Sequence, residues 1–340
     1  MNKIIKYCVS GLLLGLFFCV CSMCEPPSVR DTVEITVMDT VVAADDTAGN
    51  YAIVDTVTVT TVDTISGESA DTIRTTVTKT VKVAVPCSSC EFIPVGKLEM
   101  PATGRSEEIV SHVGYSFVYN EAHEQANWVA YLLTAERATP RSDVPRKDNF
   151  RPDPAVKTGS AVDDDYKNSG FDRGHLAPCA DMRWSQQTMD ESFFFSNMSP
   201  QRPQLNQQTW EKLEELVRTW AKEYDTLYIA TGPVLRAGLP SVAETEEAKS
   251  NYKPKNRVSV PEYYYKVVLH YTSKEIKGIG FIVPNKNGMG KSVETIKNFA
   301  VTIDSVQNLT GINFFYQLPK VQEECAEKSI CLPCWNWGKK

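Results

Sequence analysis

Apolar and polar positions alternate in three different ways along the 340 residues. Near the N-terminus, Gly11-Leu12-Leu13-Leu14-Gly15-Leu16-Phe17-Phe18 is one short apolar run behind Lys3 and Lys6. From 25 to 86 the chain is poor in aromatics and repeats itself. Asp31-Thr32-Val33, Asp39-Thr40-Val41, Asp55-Thr56-Val57, Asp63-Thr64-Ile65, Asp71-Thr72-Ile73 and Lys79-Thr80-Val81 fall on a period of about eight. An even period keeps each position on one face of an extended strand. Thr and Val are β-branched and favour that state.

From about residue 95 the pattern becomes that of a globular domain. Tyr115-Ser116-Phe117-Val118-Tyr119 and Trp128-Val129-Ala130-Tyr131-Leu132-Leu133 predict two antiparallel strands joined by a polar turn at 120–125. Residues 136–170 are polar and proline-rich, which predicts a long loop of the kind that carries function. Phe193-Phe194-Phe195-Ser196 predicts a buried strand and 197–204 a turn. Trp210, Leu213, Leu216, Val217, Trp220 and Tyr224 recur at helical spacing, which predicts a helix with Asn206 at its N-cap. Residues 226–231, 263–271 and 278–283 predict strands and 292–306 a helix. The fold class is therefore α+β: a central, mostly antiparallel sheet with packed helices over about residues 95–318.

The ends change this picture little. Residues 1–24 have the form of a signal peptide or lipoprotein signal, too short for a confident membrane span. Cys21 and Cys24 are the candidate lipidated cysteines. The expectation is an exported protein (periplasmic, cell-surface lipoprotein or secreted), with membrane attachment through an N-terminal lipid or signal anchor. Residues 25–86 are expected to be an extended or disordered stalk, the alternative being a small repetitive β structure. Residues 87–340 are expected to form one domain, with a cysteine-containing tail at 319–340. The net charge is −6, and the repeat segment alone holds four basic and ten acidic residues. A domain left near neutrality can still present a basic groove.

Cys87-Ser88-Ser89-Cys90 and Cys331-Leu332-Pro333-Cys334 are C-x-x-C pairs, with Cys179 and Cys325 besides. Such pairs form disulfides or bind zinc. Pairing between the two ends of the domain would close a long loop, and connectivity stays open at this level.

Candidate chemistry concentrates in Phe171-Asp172-Arg173-Gly174-His175-Leu176-Ala177-Pro178. A histidine takes a proton near neutral pH, and an arginine offers fixed donors to a phosphate. Asn197-Met198-Ser199-Pro200-Gln201 and Leu205-Asn206-Gln207-Gln208-Thr209-Trp210-Glu211-Lys212-Leu213-Glu214-Glu215 follow in order. With His112–Tyr115, Asn127–Tyr131, Asn149–Pro154, Gly232-Pro233-Val234 and Pro284-Asn285, the chain resembles the DNA/RNA non-specific endonuclease family.

That resemblance implies a ββα-metal (His-Me finger) fold, DNA and RNA as substrates bound through their backbones, and no cofactor beyond Mg²⁺, with Mn²⁺ as a substitute. Carried over residue by residue, His175 is the general base and Asn206 the direct ligand to Mg²⁺. Glu214 holds a metal-bound water, and Arg173 and Arg146 bind phosphate. Glu214 lies eight residues beyond Asn206, about 80° round a helix, so both can face one side. Asp172 and Asn197 are expected to position the loop and the histidine. His112, His123 and His270 are expected to be structural. Two other readings stand beside the nuclease: a catalytically weak surface nucleic-acid-binding protein on the same fold, and a phosphodiesterase for some other phosphodiester.

Overall fold

The computed structural model describes residues 93–338 and three strands that precede them. The expected signal at 1–24, Cys21, Cys24, Cys87 and Cys90 lie outside the described residues. The chain divides into two units, Met1–Val85 and Pro86–Lys340. In the first, β1 (Thr32–Val37), β2 (Thr56–Val62) and β3 (Val77–Lys82) pair as an antiparallel meander. Thr58 lies opposite both Thr36 and Thr80, so the repeat aligns with itself.

The second unit is built on a seven-stranded antiparallel sheet. Its strands are β4 (Ile109–Ser111), β5 (Ser116–Asn120), β6 (Gln125–Thr134), β9 (Thr226–Pro233), β10 (Tyr263–Tyr271), β11 (Ile276–Pro284) and β12 (Ala300–Val301). The spatial order is β12-β11-β10-β9-β6-β5-β4. Two further short strands, β7 (Asp172–His175) and β8 (Met198–Gln201), pair with each other antiparallel.

Both faces of the large sheet are covered, so β10 is almost continuously buried. Tyr264 and Val268 join the core under α2 (Glu211–Tyr224), with Leu213, Leu216, Val217 and Trp220 of that helix. Each such buried side chain contributes about 1.5–3 kcal/mol. Tyr265, Val267 and Leu269 join the opposite core, with Ile303 and Val306 of α4 (Ile303–Thr310) and Ala326 of α5 (Lys320–Lys328). At Gly278 of β11 a Cβ would stand 2.3 Å from the Ala326 carbonyl oxygen, so only glycine admits α5 at this distance.

Several expectations are corrected. Phe193–Phe195 are buried, but they form no strand; the run ends in a 3-10 turn at Phe195–Asn197. The expected turn after it contains β8 instead. The expected helix over 292–306 is two helices, α3 (Val293–Lys297) and α4, separated by β12. Thr302 explains the break, because its side chain caps Ser305 N and starts a new helix. Two helices were not read from the pattern: α1 (Gln186–Glu191), capped by Ser185, and α5.

Beyond α5 the tail folds back. Trp335 and Trp337 lie 4.5 and 5.3 Å from Trp220 of α2, ring centre to ring centre. Trp220 Nε1 donates to Asn336 O at 2.5 Å. Cys331 is disulfide-bonded to Cys334, which removes both from any end-to-end pairing, while Cys179 and Cys325 are free thiols.

Candidate active site

The β7–β8 hairpin and the helix that follows place the chemistry. β7 carries Asp172 through His175. The chain leaves β8 into a π-helical turn, Leu205–Trp210, which runs straight into α2. β7 thus carries Arg173 and His175, the π-helical turn Asn206, and α2 Glu214. Gly174 is required between the two strand residues: a Cβ there would stand 2.3 Å from the Gln201 amide.

His175 sits among rings. Phe193 packs edge-on to its imidazole at 5.0 Å and Phe150 lies at 5.9 Å. Its Nε2 is buried and finds no hydrogen-bond partner among the described residues. Burial, and then the nearby Arg146 guanidinium, push its pKa down to about 3. The ring is therefore neutral at pH 7 and carries a free nitrogen lone pair or N–H.

Asn197 holds the turn behind the histidine. Its Oδ1 accepts from Ala177 N at 2.9 Å, and its Nδ2 donates to Ala177 O at 2.9 Å and Ser192 O at 2.8 Å.

Of the loop arginines at 141, 146 and 151, only Arg146 acts on His175. Its guanidinium lies 5.7 Å from the Phe193 ring and bonds Asp148 at 2.7 Å. Arg141 pairs with Asp143, and Arg151 is held by the carbonyls of Asn149 and Asp190. Arg173 lies over Phe150 at 4.8 Å and donates to Asp163 at 2.5 Å, with its Nε buried and unpartnered. Phe150 touches both Arg173 and His175, so one ring spaces them.

Asn206 is not the N-cap that its sequence position suggests. The π-helical turn begins one residue earlier, and Asn206 N already donates to Arg202 O at 2.9 Å. Its side chain is therefore free for other work. Nδ2 donates to Asp172 Oδ2 at 2.9 Å, and Gln207 Nε2 reaches the same oxygen at 2.8 Å.

Glu214 lies partly buried on α2, not exposed as an ordinary surface helix glutamate would be. Burial pushes its pKa up, and Lys266, then Arg218, oppose that. Lys266, Asp181 and Arg218 were not singled out from sequence. The usable signal was a lysine in the otherwise apolar run of β10.

The other histidines are satisfied structurally. His112 bonds Asp153 and His123 bonds Ser259, each at 2.8 Å, and His270 bonds Thr226 O at 3.1 Å. Among the described residues no three His, Cys, Asp or Glu side chains gather round one point. The Asn206 amide suits Mg²⁺, which accepts one neutral oxygen and keeps most of its waters. It does not suit zinc, which takes nitrogen and sulfur in sets of three or four.

The profile of the DNA/RNA non-specific endonuclease family matches residues 95–321. The chain belongs to that family. Human mitochondrial endonuclease G is 34% identical over 212 residues, 61% of this chain and 69% of the relative. A nuclease of Syncephalastrum racemosum is 31% identical over 247 residues, 69% of this chain and 76% of the relative. The mitochondrial nuclease 1 of Schizosaccharomyces pombe is 31% identical over 225 residues, 63% of this chain and 68% of the relative. Among solved structures, a chain of the EndoG/EndoGI complex aligns with a TM-score of 0.54 at 32% identity, covering 63% of this chain and 88% of that one.

These family members correct the expectation of export. Those most similar to this nuclease include mitochondrial enzymes of human, cattle and fission yeast, so a periplasmic, surface-lipoprotein or secreted location is withdrawn. The physical reason is that a short basic and apolar N-terminus is a weak address, with no structural context to confirm it.

Proposed function

We propose that this family member is a Mg²⁺-dependent endonuclease that hydrolyses phosphodiester bonds of DNA and RNA with little sequence specificity. His175 carries the reading. Its Nε2 is buried and unpartnered, the ring is fixed by Phe193 and Phe150, and two arginines stand beside it.

Hydrolysis needs a base for water, neutralisation of charge at phosphorus, and stabilisation of the leaving oxygen. His175 is the base. Its neutral state at pH 7 leaves it able to accept a proton, and a bound phosphate dianion-like centre would raise its basicity from the low free-enzyme value. Arg173 and Arg146 take the phosphate oxygens, exchanging Asp163 and Asp148 for substrate. Asp172 takes the Nδ2 end of the Asn206 amide, leaving the amide oxygen as the group that would hold the ion. Glu214 is the acceptor that would hold water beside a bound ion. Bound Mg²⁺ supplies charge at the phosphoryl and leaving oxygens. Contacts of this kind read the sugar-phosphate backbone and carry little base information.

We place this activity in residues 87–340, with 25–86 as a separate unit. No observation favours the binding-only alternative, and His175, Arg173, Arg146 and Asn206 are the residues that the proposed hydrolysis needs. Purified full-length protein should nick plasmid DNA and degrade RNA with Mg²⁺, lose both activities in EDTA, and regain them with Mg²⁺ or Mn²⁺. Cleavage that persists in EDTA would sink the metal assignment.

A further inference from the structure

Residues 249–257 hold four basic residues and no acidic one, in a chain whose net charge is −6. The mechanism above uses none of them. A buried carboxyl group sets their place in the fold. Asp165 is 0% exposed, and its Oδ1 accepts from Lys255 N and Asn256 N at 2.7 Å each. Its Oδ2 accepts from Asn256 Nδ2 and Val162 N at 2.8 Å each. Tyr252 Oη donates to Asp165 O at 2.8 Å. The segment from Tyr252 to Asn256 is therefore tied to the 3-10 turn Asp163–Asp165. A buried acid with both oxygens satisfied in this way is a fixed anchor.

The same turn holds Arg173. That arginine donates to Asp163 at 2.5 Å, and the Lys255 ammonium lies 3.0 Å from Asp164 Oδ2. Consecutive Cα atoms are about 3.8 Å apart, so one short turn keeps the two cations side by side. Successive nucleotides of a strand rise about 3.4 Å along a duplex, which puts the pair on the scale of one nucleotide step. The Lys255 side chain is 66% exposed. An exposed ion pair is weak and readily exchanged for another anion. An ammonium serves a phosphate oxygen as a compact point charge.

We infer that Lys255 is a further backbone contact of this nuclease: it binds the phosphate next along the strand from the one held by Arg173, and Asp164 occupies its ammonium in the free enzyme. Asp165 fixes the spacing of the two cations. The inference rests on the reading of Arg173 as a phosphate ligand. Lys255 makes no contact with the reacting phosphate, so it serves binding and not the chemical step.

The test uses the full chain with Lys255→Ala, Lys255→Arg and Asp164→Asn, and Arg173→Ala and Lys274→Ala as references. Lys274 is exposed in the turn after β10, whereas the Tyr264 end of that strand meets β8. Binding of a short labelled DNA duplex by the metal-free protein is followed across a potassium chloride series, and kcat and KM are read on plasmid DNA with Mg²⁺. Lys255→Ala should reduce the slope of log binding against log salt by about one unit. KM should rise by about 3–10-fold with kcat within about twofold, the pattern of a contact made equally before and during the reaction. Lys255→Arg should keep the wild-type slope, and Lys274→Ala should not change it. Asp164→Asn should tighten binding, and by more than it does in the Lys255→Ala background.

An unchanged slope and KM for Lys255→Ala, beside a reduced slope for Arg173→Ala, would overturn the inference and leave the nuclease reading intact. So would an equal loss in Lys274→Ala, which would make Lys255 only a share of the overall charge. A fall in kcat at unchanged KM would also overturn it. Asp164→Asn binding no tighter than wild type would remove the occupancy of Lys255 by Asp164. An unchanged slope for Arg173→Ala would instead remove the reading of Arg173, and the inference with it. Lys255→Gln, uncharged and of similar length, is read beside Lys255→Ala so that lost packing is not taken for lost charge.

Discussion

Asn206 Nδ2 donates to Asp172 Oδ2 at 2.9 Å. A carboxylate has no proton to give, so only the amide nitrogen can face it. The amide oxygen is thereby turned away from Asp172 and left free to hold an ion. Asn206→Ala should remove metal-dependent cleavage. Asp172→Asn, which can pair with either end of the amide, should raise the half-saturating Mg²⁺ concentration by about 10–100-fold. Titrating Mg²⁺ in a cleavage assay measures both. Normal rates for Asn206→Ala in limiting Mg²⁺ would leave Asn206 with no metal role.

His175→Ala should lower kcat by about 10²–10⁴-fold, the range for losing a general base, with an unchanged circular dichroism spectrum. Wild-type turnover in this variant would end the mechanism.

The low pKa of His175, near 3 against an ordinary 6.5, gives a pH signature. Between those values the unfolded chain binds a proton that the native ring refuses. Stability is therefore fully present above about pH 6.5 and is lost as pH falls toward 3. The metal-free wild type should lose more thermal stability between pH 6 and pH 4 than His175→Ala. For the same reason kcat/KM should show no acid limb near pH 6.5. An equal fall in both proteins would mean that His175 titrates normally.

Arg173 and Arg146 should each account for about one unit of the slope of log binding against log salt. Arg173→Ala and Arg146→Ala should flatten that slope and weaken DNA and RNA alike. An unchanged slope for Arg146→Ala would return it to the solvated loop arginines.

Removing residues 1–86 should leave a soluble nuclease with nearly unchanged activity and melting temperature, because the domain's cores all lie beyond residue 97. A loss of several degrees would show that the repeat unit contributes to the fold of the nuclease.

What sequence could show depended on how local the cause was. β5, β6, β9, β10, β11 and α2 carry their periodicity in contiguous residues and were legible to within a few positions. Motif spacing also brought Arg173, His175 and Asn206 together, linked here through Phe150 and the Asn206–Asp172 bond. The Phe193–Phe195 run departs from the expected strand because its three rings pack in different places, Phe193 on His175, Phe194 on His112 and Phe195 on Tyr166, and three consecutive buried rings look like a buried strand. Asn206 as an N-cap failed because the helix already begins at Pro203 and runs through a π-helical turn, which no pattern of apolar positions reports. Lys266 and Asp181 were out of reach, since their meaning comes from β10 and a distant loop meeting beneath α2.

The three-tryptophan contact between the tail and α2 bears on where this protein can be cut. The family's shared segment ends at residue 321, inside α5, and Trp335 and Trp337 come after it. Because the disulfide spans only a three-residue separation, reducing it should change the melting point little. Trp335→Ala should cost about 3–5 kcal/mol, the range for truncating a buried tryptophan. Evolutionary and physical boundaries thus differ here. The helix that carries Glu214 is gripped at its far end by a segment outside the matched family span, so a gene trimmed to that span would leave this beam unsupported.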